Sequence, residues 1–323
     1  MVTTMKRQKR EEGGDSVLLH GLKEDPDFRH VESRLLVSCP AGGADEGGLF
    51  YLDFEKNEMK KLYAGTCSGM AWAGERLIVA TDDNHILALD RRFRLVSKTK
   101  HRKLDFHGVS GWSDSHALIV ETATNTVGCY EVETFRRTGE IRFHASDKDV
   151  LHLNDIWLHG HTLYVSMFSP YDRWYLDPTG KHGAIVAVDL TDFRPDGSLV
   201  VEPAEHVVTG GLYMPHTVTV RDGRLAYCDS MTFRAVVEGD GNHGTSIRLP
   251  GFTRGLAFAD RTIFIGQSRM RHVLRIPHEF SNCSLDGGIY VYHPEYRISR
   301  FVPLPAQQVY QILVVDAEPS PGG

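Results

Sequence analysis

The sequence has no C-x-x-C pair, and its five cysteines, Cys39, Cys67, Cys129, Cys228 and Cys283, are odd in number and far apart. That spacing argues against a zinc module or a disulfide framework and fits a reducing, cytoplasmic compartment. An apolar run long enough to cross a bilayer as a helix, about 18 residues or more, is also missing. Charge of one sign is not in excess: 36 Lys and Arg stand against 42 Asp and Glu, for a net charge of −6. Such a balance gives no electrostatic ground for nucleic acid or an anionic membrane as partner. The basic start at Lys6, Arg7, Lys9 and Arg10 runs into Glu11-Glu12-Gly13-Gly14-Asp15, where a signal peptide needs apolar residues. No glycine-rich phosphate loop joins a strand to a helix, so a nucleotide cofactor is not indicated. The polar, Gly- and Pro-rich ends, residues 1–28 and 317–323, read as disordered tails around one unit spanning 29–316.

What the sequence does contain is repetition. Short alternating apolar runs punctuated by Gly, Asp and Asn read as strands, with no sustained helical period between them. One opening phrase recurs six times: Cys67-Ser-Gly-Met-Ala-Trp72, His107-Gly-Val-Ser-Gly-Trp112, His152-Leu-Asn-Asp-Ile-Trp157, Pro215-His-Thr-Val-Thr-Val220, Thr253-Arg-Gly-Leu-Ala-Phe258 and Tyr310-Gln-Ile-Leu-Val-Val315. After each of the first five come a polar turn and a second strand, such as Arg76–Ala80 or Thr162–Ser166, and usually a clear third. Periods near 40 to 45 residues with three or four strands are the mark of propeller blades. The last opening has no blade after it, whereas Arg34–Ser38, Leu49–Asp53 and Lys60–Ala64 form a blade without an opening. Joined, they predict an all-β, six-bladed propeller whose ring closes with one C-terminal and three N-terminal strands, removing exposed sheet edges.

This organisation resembles the six-bladed propellers of the gluconolactonase, strictosidine-synthase and virginiamycin-lyase kind over roughly residues 30–316. It is most similar to a bacterial group of such propellers of unassigned function. The lactonases of this kind use an acidic metal set with a Glu near the chain start, a pattern this sequence does not show.

In a propeller the opening strands line the channel, and their first residues sit at one mouth. Those positions hold Cys67, His107, His152, His216, Arg254, Tyr310 and Gln311, with Asn154 and Asp155 just behind. The two longest blades carry insertions at about 168–182 and 267–287 that return to the same mouth, and long loops on a rigid scaffold usually carry function. His107, His152 and His216, with Gln311 or Asp155, make a candidate set for a divalent transition metal ion: Zn, Fe, Mn, Cu or Ni rather than Ca. Pro215 suggests a bulge that would bring His216 into register with the other two. Arg254 would stabilise developing negative charge, and His272, His107 or Tyr310 would move the proton. Cys67 is a nucleophile, a soft ligand or a buried inert thiol. Asn154, Asp229 and Gln267, with Tyr171, Arg173, Trp174 and Arg269 from the insertions, are candidate substrate contacts. The arginines point to an anionic small molecule as substrate. Elimination or isomerisation at a metal is the first functional expectation, metal-assisted hydrolysis of a lactone the second. A scaffold propeller without chemistry is the third.

Overall fold

In the computed structural model, residues 17–42, 47–171, 173–176, 180–239, 244–259 and 261–316 are described. They build six sheets around a channel, antiparallel but for one added strand and each led by an innermost strand. In chain order these strands are Met70–Ala73, Phe106–Gly111, Leu153–His159, Pro215–Arg221, Phe252–Ala259 and Gln311–Val315. They match the six repeated phrases, and successive ones pack side by side around the axis. Gln311–Val315 pairs with Arg34–Cys39, followed outward by Gly48–Asp53 and Glu58–Ala64, so one blade draws on both ends of the chain.

Apolar clusters fill the space between blades. Leu118, Val127, Ile156 and Val165 form part of one, and Leu36, Tyr51, Met70 and Leu87 part of another, all at most 1% exposed. Such clusters are the main force holding blade to blade. Hydroxyl groups add stitches near the mouth: Ser68, Thr122, Ser230 and Ser268 each donate to a backbone carbonyl of the next blade, at Phe106, Leu153, Thr253 and Val309, over 2.6–3.1 Å. Near the axis the backbones approach so closely that a side chain does not fit everywhere. A Cβ on Gly108 would lie 2.5 Å from Asp155 Oδ1, which leaves glycine as the residue that suits that position.

Four innermost strands carry a register shift near the mouth, at Phe106/Val109, Leu153/Ile156, His216/Val218 and Thr253/Leu256. The bulge expected around Pro215 thus sits two residues on, where Thr217 takes a left-handed φ of 52°.

Two features depart from the sequence expectation. Residues 17–28 do not belong to a tail: Val17–Glu24 is a helix, and Leu22 and Phe28, 4% and 3% exposed, join the cluster of Val302 and Leu304. Eight residues are too few for a helix to persist alone. Burying each of those side chains contributes about 1.5–3 kcal/mol, which holds it in place. Residues 1–16 and 317–323 lie outside the described residues. The second departure is a strap, Ser198–Val200, which adds a fifth, parallel strand to the neighbouring blade beside Arg137–Arg142. Gly139 permits the crossing, since a Cβ there would meet the Pro195 and Gly197 carbonyls at 2.5 and 2.6 Å.

Candidate functional site

At the mouth where the innermost strands begin, a cavity of about 260 Å³ is lined by four histidines, three arginines, Asn154 and an apolar wall of Phe168, Trp174, Met214 and Phe252. The histidines are His107, His152, His216 and His272, the arginines Arg254, Arg269 and Arg271. No carboxylate is among the lining residues.

Two of the imidazoles are held by the same device in different blades. His107 Nδ1 lies 3.1 Å from the Asp105 carbonyl oxygen and 3.0 Å from Thr122 Oγ1. Thr122 spends its one proton on the Leu153 carbonyl, so its oxygen can only accept from the ring. His216 Nδ1 faces the Met214 carbonyl at 3.0 Å and Ser230 Oγ at 2.9 Å, and Ser230 donates to Thr253 O. The network thus assigns the proton to Nδ1 and leaves Nε2 as a bare acceptor in both rings. Burial holds His107 below the ordinary imidazole pKa and His216 well below it, with the charge of Arg254 pressing further on His216.

His152 is held differently. Its backbone N–H donates to Asp149 Oδ1 at 2.9 Å, and its ring Nδ1 lies 2.6 Å from Oδ2 of the same carboxylate. Trp174 Nε1 donates to that Oδ2 as well, at 3.1 Å. The residue sits at φ 52°, a left-handed conformation that costs a non-glycine residue about 1–3 kcal/mol and persists where surroundings enforce it. Phe168 touches both His152 and His216, tilted against the first and edge-on to the second, with ring centroids 4.2 and 5.4 Å away.

Two buried side chains of the lining carry polar atoms without a partner. Arg254 is 2% exposed, its guanidinium 4.6 Å from the centre of the Tyr310 ring. Its Nε has no hydrogen-bond partner, and among the described residues it makes no ion pair. Burial and then the charge of Arg271 bring its pKa down to about 10. Asn154 is fully buried, yet neither Oδ1 nor Nδ2 finds a partner. Leaving such a group unsatisfied costs about 1–3 kcal/mol, and both of these side chains line the cavity.

Of the residues singled out from sequence, His107, His152, His216, His272, Asn154, Trp174, Arg254 and Arg269 line this cavity. Others do not. Tyr310 supports Arg254 with its ring, but its hydroxyl donates to the Asn154 carbonyl at 2.9 Å and burial pushes its pKa far up, so it is no proton carrier. Asp155 and Gln311 line a second cavity of about 290 Å³ farther along the channel. There Gln311 Oε1 accepts from Met70 N at 2.6 Å, and burial raises Asp155 to about 7. Cys67 is fully buried in the cluster of Met70 and Leu87, where burial pushes its thiol far above the ordinary range; it is neither nucleophile nor ligand. Asp229 spends its oxygens on Tyr213 N, Thr232 and Arg234, and Gln267 donates to Ser284 and to the Asp286 carbonyl, tying down the second insertion. Tyr171, 68% exposed, and Arg173 lie outside the lining; Asp172 lies outside the described residues. Sequence reasoning passed over Asp149, although its spacing three residues before His152 was a usable signal, and over Phe168, Met214 and Phe252, which had none.

The chain matches, over residues 45–291, the family described as a domain of unknown function, DUF4915. It belongs to that family. No curated protein matches it. Among solved structures it is similar to a candidate 6-phosphogluconolactonase from Bacteroides fragilis, at 9% identity and TM-score 0.57 over 90% of this chain and 100% of that one. It is also similar to the calcium-binding protein regucalcin from Agrobacterium tumefaciens, at 12% identity and TM-score 0.53 over 78% and 82%. A chain of a nidogen/laminin complex aligns at 9% identity and TM-score 0.58 over 88% and 99%. These likenesses establish the six-bladed fold.

A calcium ion does not fit this cavity, because calcium takes carboxylate and carbonyl oxygens and the lining offers three cationic side chains and no carboxylate. The five-residue transition-metal set is not assembled either. Asp155 and Gln311 line the other cavity, and among the described residues no three His, Cys, Asp or Glu are grouped to hold an ion.

Proposed function

We propose that the protein is an enzyme for a small organic anion, and that it moves a proton on that substrate by elimination or isomerisation. The observation that carries this reading is the pairing, in one cavity, of a buried arginine with no described carboxylate in ion-pair contact and a carboxylate-backed imidazole. Arg254, with Arg269 and Arg271 above it, takes the anionic group, and the unpartnered Asn154 amide fixes its orientation. His152, backed by Asp149, is the general base: its Nε2 takes the proton while the carboxylate stabilises the imidazolium that forms. Negative charge that develops on the substrate is met by Arg254 in a site where apolar walls exclude water and strengthen the interaction. His107 and His216, kept neutral by burial, accept hydrogen bonds and leave the positive charge of the site to the arginines.

Hydrolysis is the second reading, favoured by the lactonase name attached to a structural neighbour; the same imidazole would then deprotonate water. One experiment tests both. A panel of small hydroxy acids, sugar acids and lactones is incubated with the protein in D₂O and in H₂¹⁸O, with Arg254→Gln and His152→Ala as controls. Deuterium on a substrate carbon, lost in both variants, is the expected outcome; ¹⁸O in a product acid without deuterium establishes hydrolysis instead. Binding of no anion, or binding unaffected by Arg254→Gln, overturns the reading.

A further inference from the structure

Twelve large apolar side chains are well exposed among the described residues, and six of them lie on the two insertions at the cavity mouth. Tyr171, Tyr175 and Leu176 belong to the first and Val273, Leu274 and Leu285 to the second, with exposures from 39% to 99% for Leu274. These insertions make up about a tenth of the chain, so the concentration is several-fold; single exposed apolar residues need no explanation, but a cluster of them does. Neither insertion drifts freely. Trp174 donates its backbone N–H to the Val150 carbonyl, Tyr213 Oη donates to the Arg275 carbonyl, and Trp174, Met270, Ile276 and Phe280 pack into one cluster with Phe168 and Phe252. The exposed residues follow directly on those that line the cavity: Tyr175 and Leu176 on Trp174, Val273 and Leu274 on Arg271 and His272. A cationic interior therefore opens onto an apolar collar.

We propose that the ligand is an amphiphile, with an anionic head held at Arg254 and an apolar tail lying against Leu176 and Leu274 as it leaves the cavity. This rests on the anion reading above and narrows it to a substrate class. Charge complementarity and continuity decide the occupant. The deepest cation, Arg254, is almost wholly buried, so a charged head has to enter the cavity rather than stay on a surface outside it. A volume of about 260 Å³ accommodates the head and a few carbons, and the rest of a longer chain meets the collar.

The test is a homologous series of lactate, 2-hydroxybutanoate, 2-hydroxyhexanoate and 2-hydroxyoctanoate, with dissociation constants measured by calorimetry and ligand-observed NMR. Complete burial of a methylene strengthens binding about fourfold, so half-covered carbons give about twofold each. The expected series therefore tightens at least about twofold per methylene beyond the fourth carbon. The double variant Leu176→Ser/Leu274→Ser should flatten it while leaving lactate binding and the melting temperature unchanged, since both side chains stand in water. A flat series in the wild-type protein, with lactate binding still lost in Arg254→Gln, overturns the amphiphile and leaves the anion site standing. Absence of all binding overturns the anion site itself. Docking to phosphatidylserine vesicles that persists in Arg254→Gln overturns the proposal in favour of a membrane-facing collar.

Discussion

Replacing Arg254 with methionine should make the unliganded protein more stable and unable to bind its substrate. Burial and the neighbouring Arg271 lower the guanidinium pKa from 12.5 to about 10. A fall of that size corresponds to about 3 kcal/mol by which the charged form is disfavoured in the folded protein. Methionine removes that penalty and fills most of the space with an adaptable apolar chain. Against it stands the contact of the guanidinium with the Tyr310 ring, which is worth about 0.5–2 kcal/mol. The balance is a gain of about 1–2.5 kcal/mol, which in a chain of this size raises the melting temperature by about 1.5–4 °C. Differential scanning calorimetry without ligand measures it. Adding the anion at about a hundredfold its dissociation constant then stabilises the wild type by about 2.7 kcal/mol and leaves the variant unmoved. A drop of several degrees on making Arg254→Met would refute the reasoning, because it would mean that the guanidinium has a structural partner and is not held in reserve for a ligand.

Two further outcomes follow from the same geometry. Asp149→Asn should lower the rate of proton transfer by about 10²–10⁴ with KM nearly unchanged, because the amide no longer stabilises a charged His152; steady-state kinetics and the pH profile check it, and equal loss in both parameters would indicate a packing role. Stability should fall on acidification below pH 6.5, where the unfolded chain protonates His107 and His216 before the folded one does, by at most about 2.7 kcal/mol per pH unit for the two. Asp155, raised from 3.8 to about 7, binds its proton first in the folded state and offsets about half of that slope between pH 6.5 and 4. Denaturant midpoints across that range measure the net; His107→Gln/His216→Gln should make the fall shallower, the remainder coming from His101 and His272, which burial also holds below the ordinary imidazole range.

Much of the fold was legible because a propeller repeats one packing problem six times. Trp72, Trp112 and Trp157 recur at one place in the phrase, and the structure puts each between blades. The strap at Ser198–Val200 was not legible, since a three-residue parallel strand carries no pattern of its own and is specified by a gap over Gly139. The helix Val17–Glu24 was hidden for a related reason: eight residues are too short to show a sustained period, and Leu22 finds its partners only in the cluster of Val302 and Leu304.

Half of the residues nominated for the site line one cavity, and the bulges explain the division. Along a regular strand neighbouring side chains alternate between faces, so a run such as Asn154-Asp155 can be divided only if the count from a fixed point is known. The register shift between Leu153 and Ile156 breaks that count within the run itself. As a result Asn154 opens into the cavity with the histidines and Asp155 into the one beyond it. Tyr310 and Gln311 divide similarly, one ring propping Arg254 and one amide reaching across to Met70. Sequence can nominate residues near a channel mouth by type, but what makes Arg254 and Asn154 the proposed binding pair is that they line the cavity and also carry buried polar atoms without a partner. That property belongs to no residue by itself. It arises only when the packed blades have engaged Asp229 and Tyr310 and left Asn154 and the Nε of Arg254 in the cavity lining with their hydrogen-bonding capacity unused.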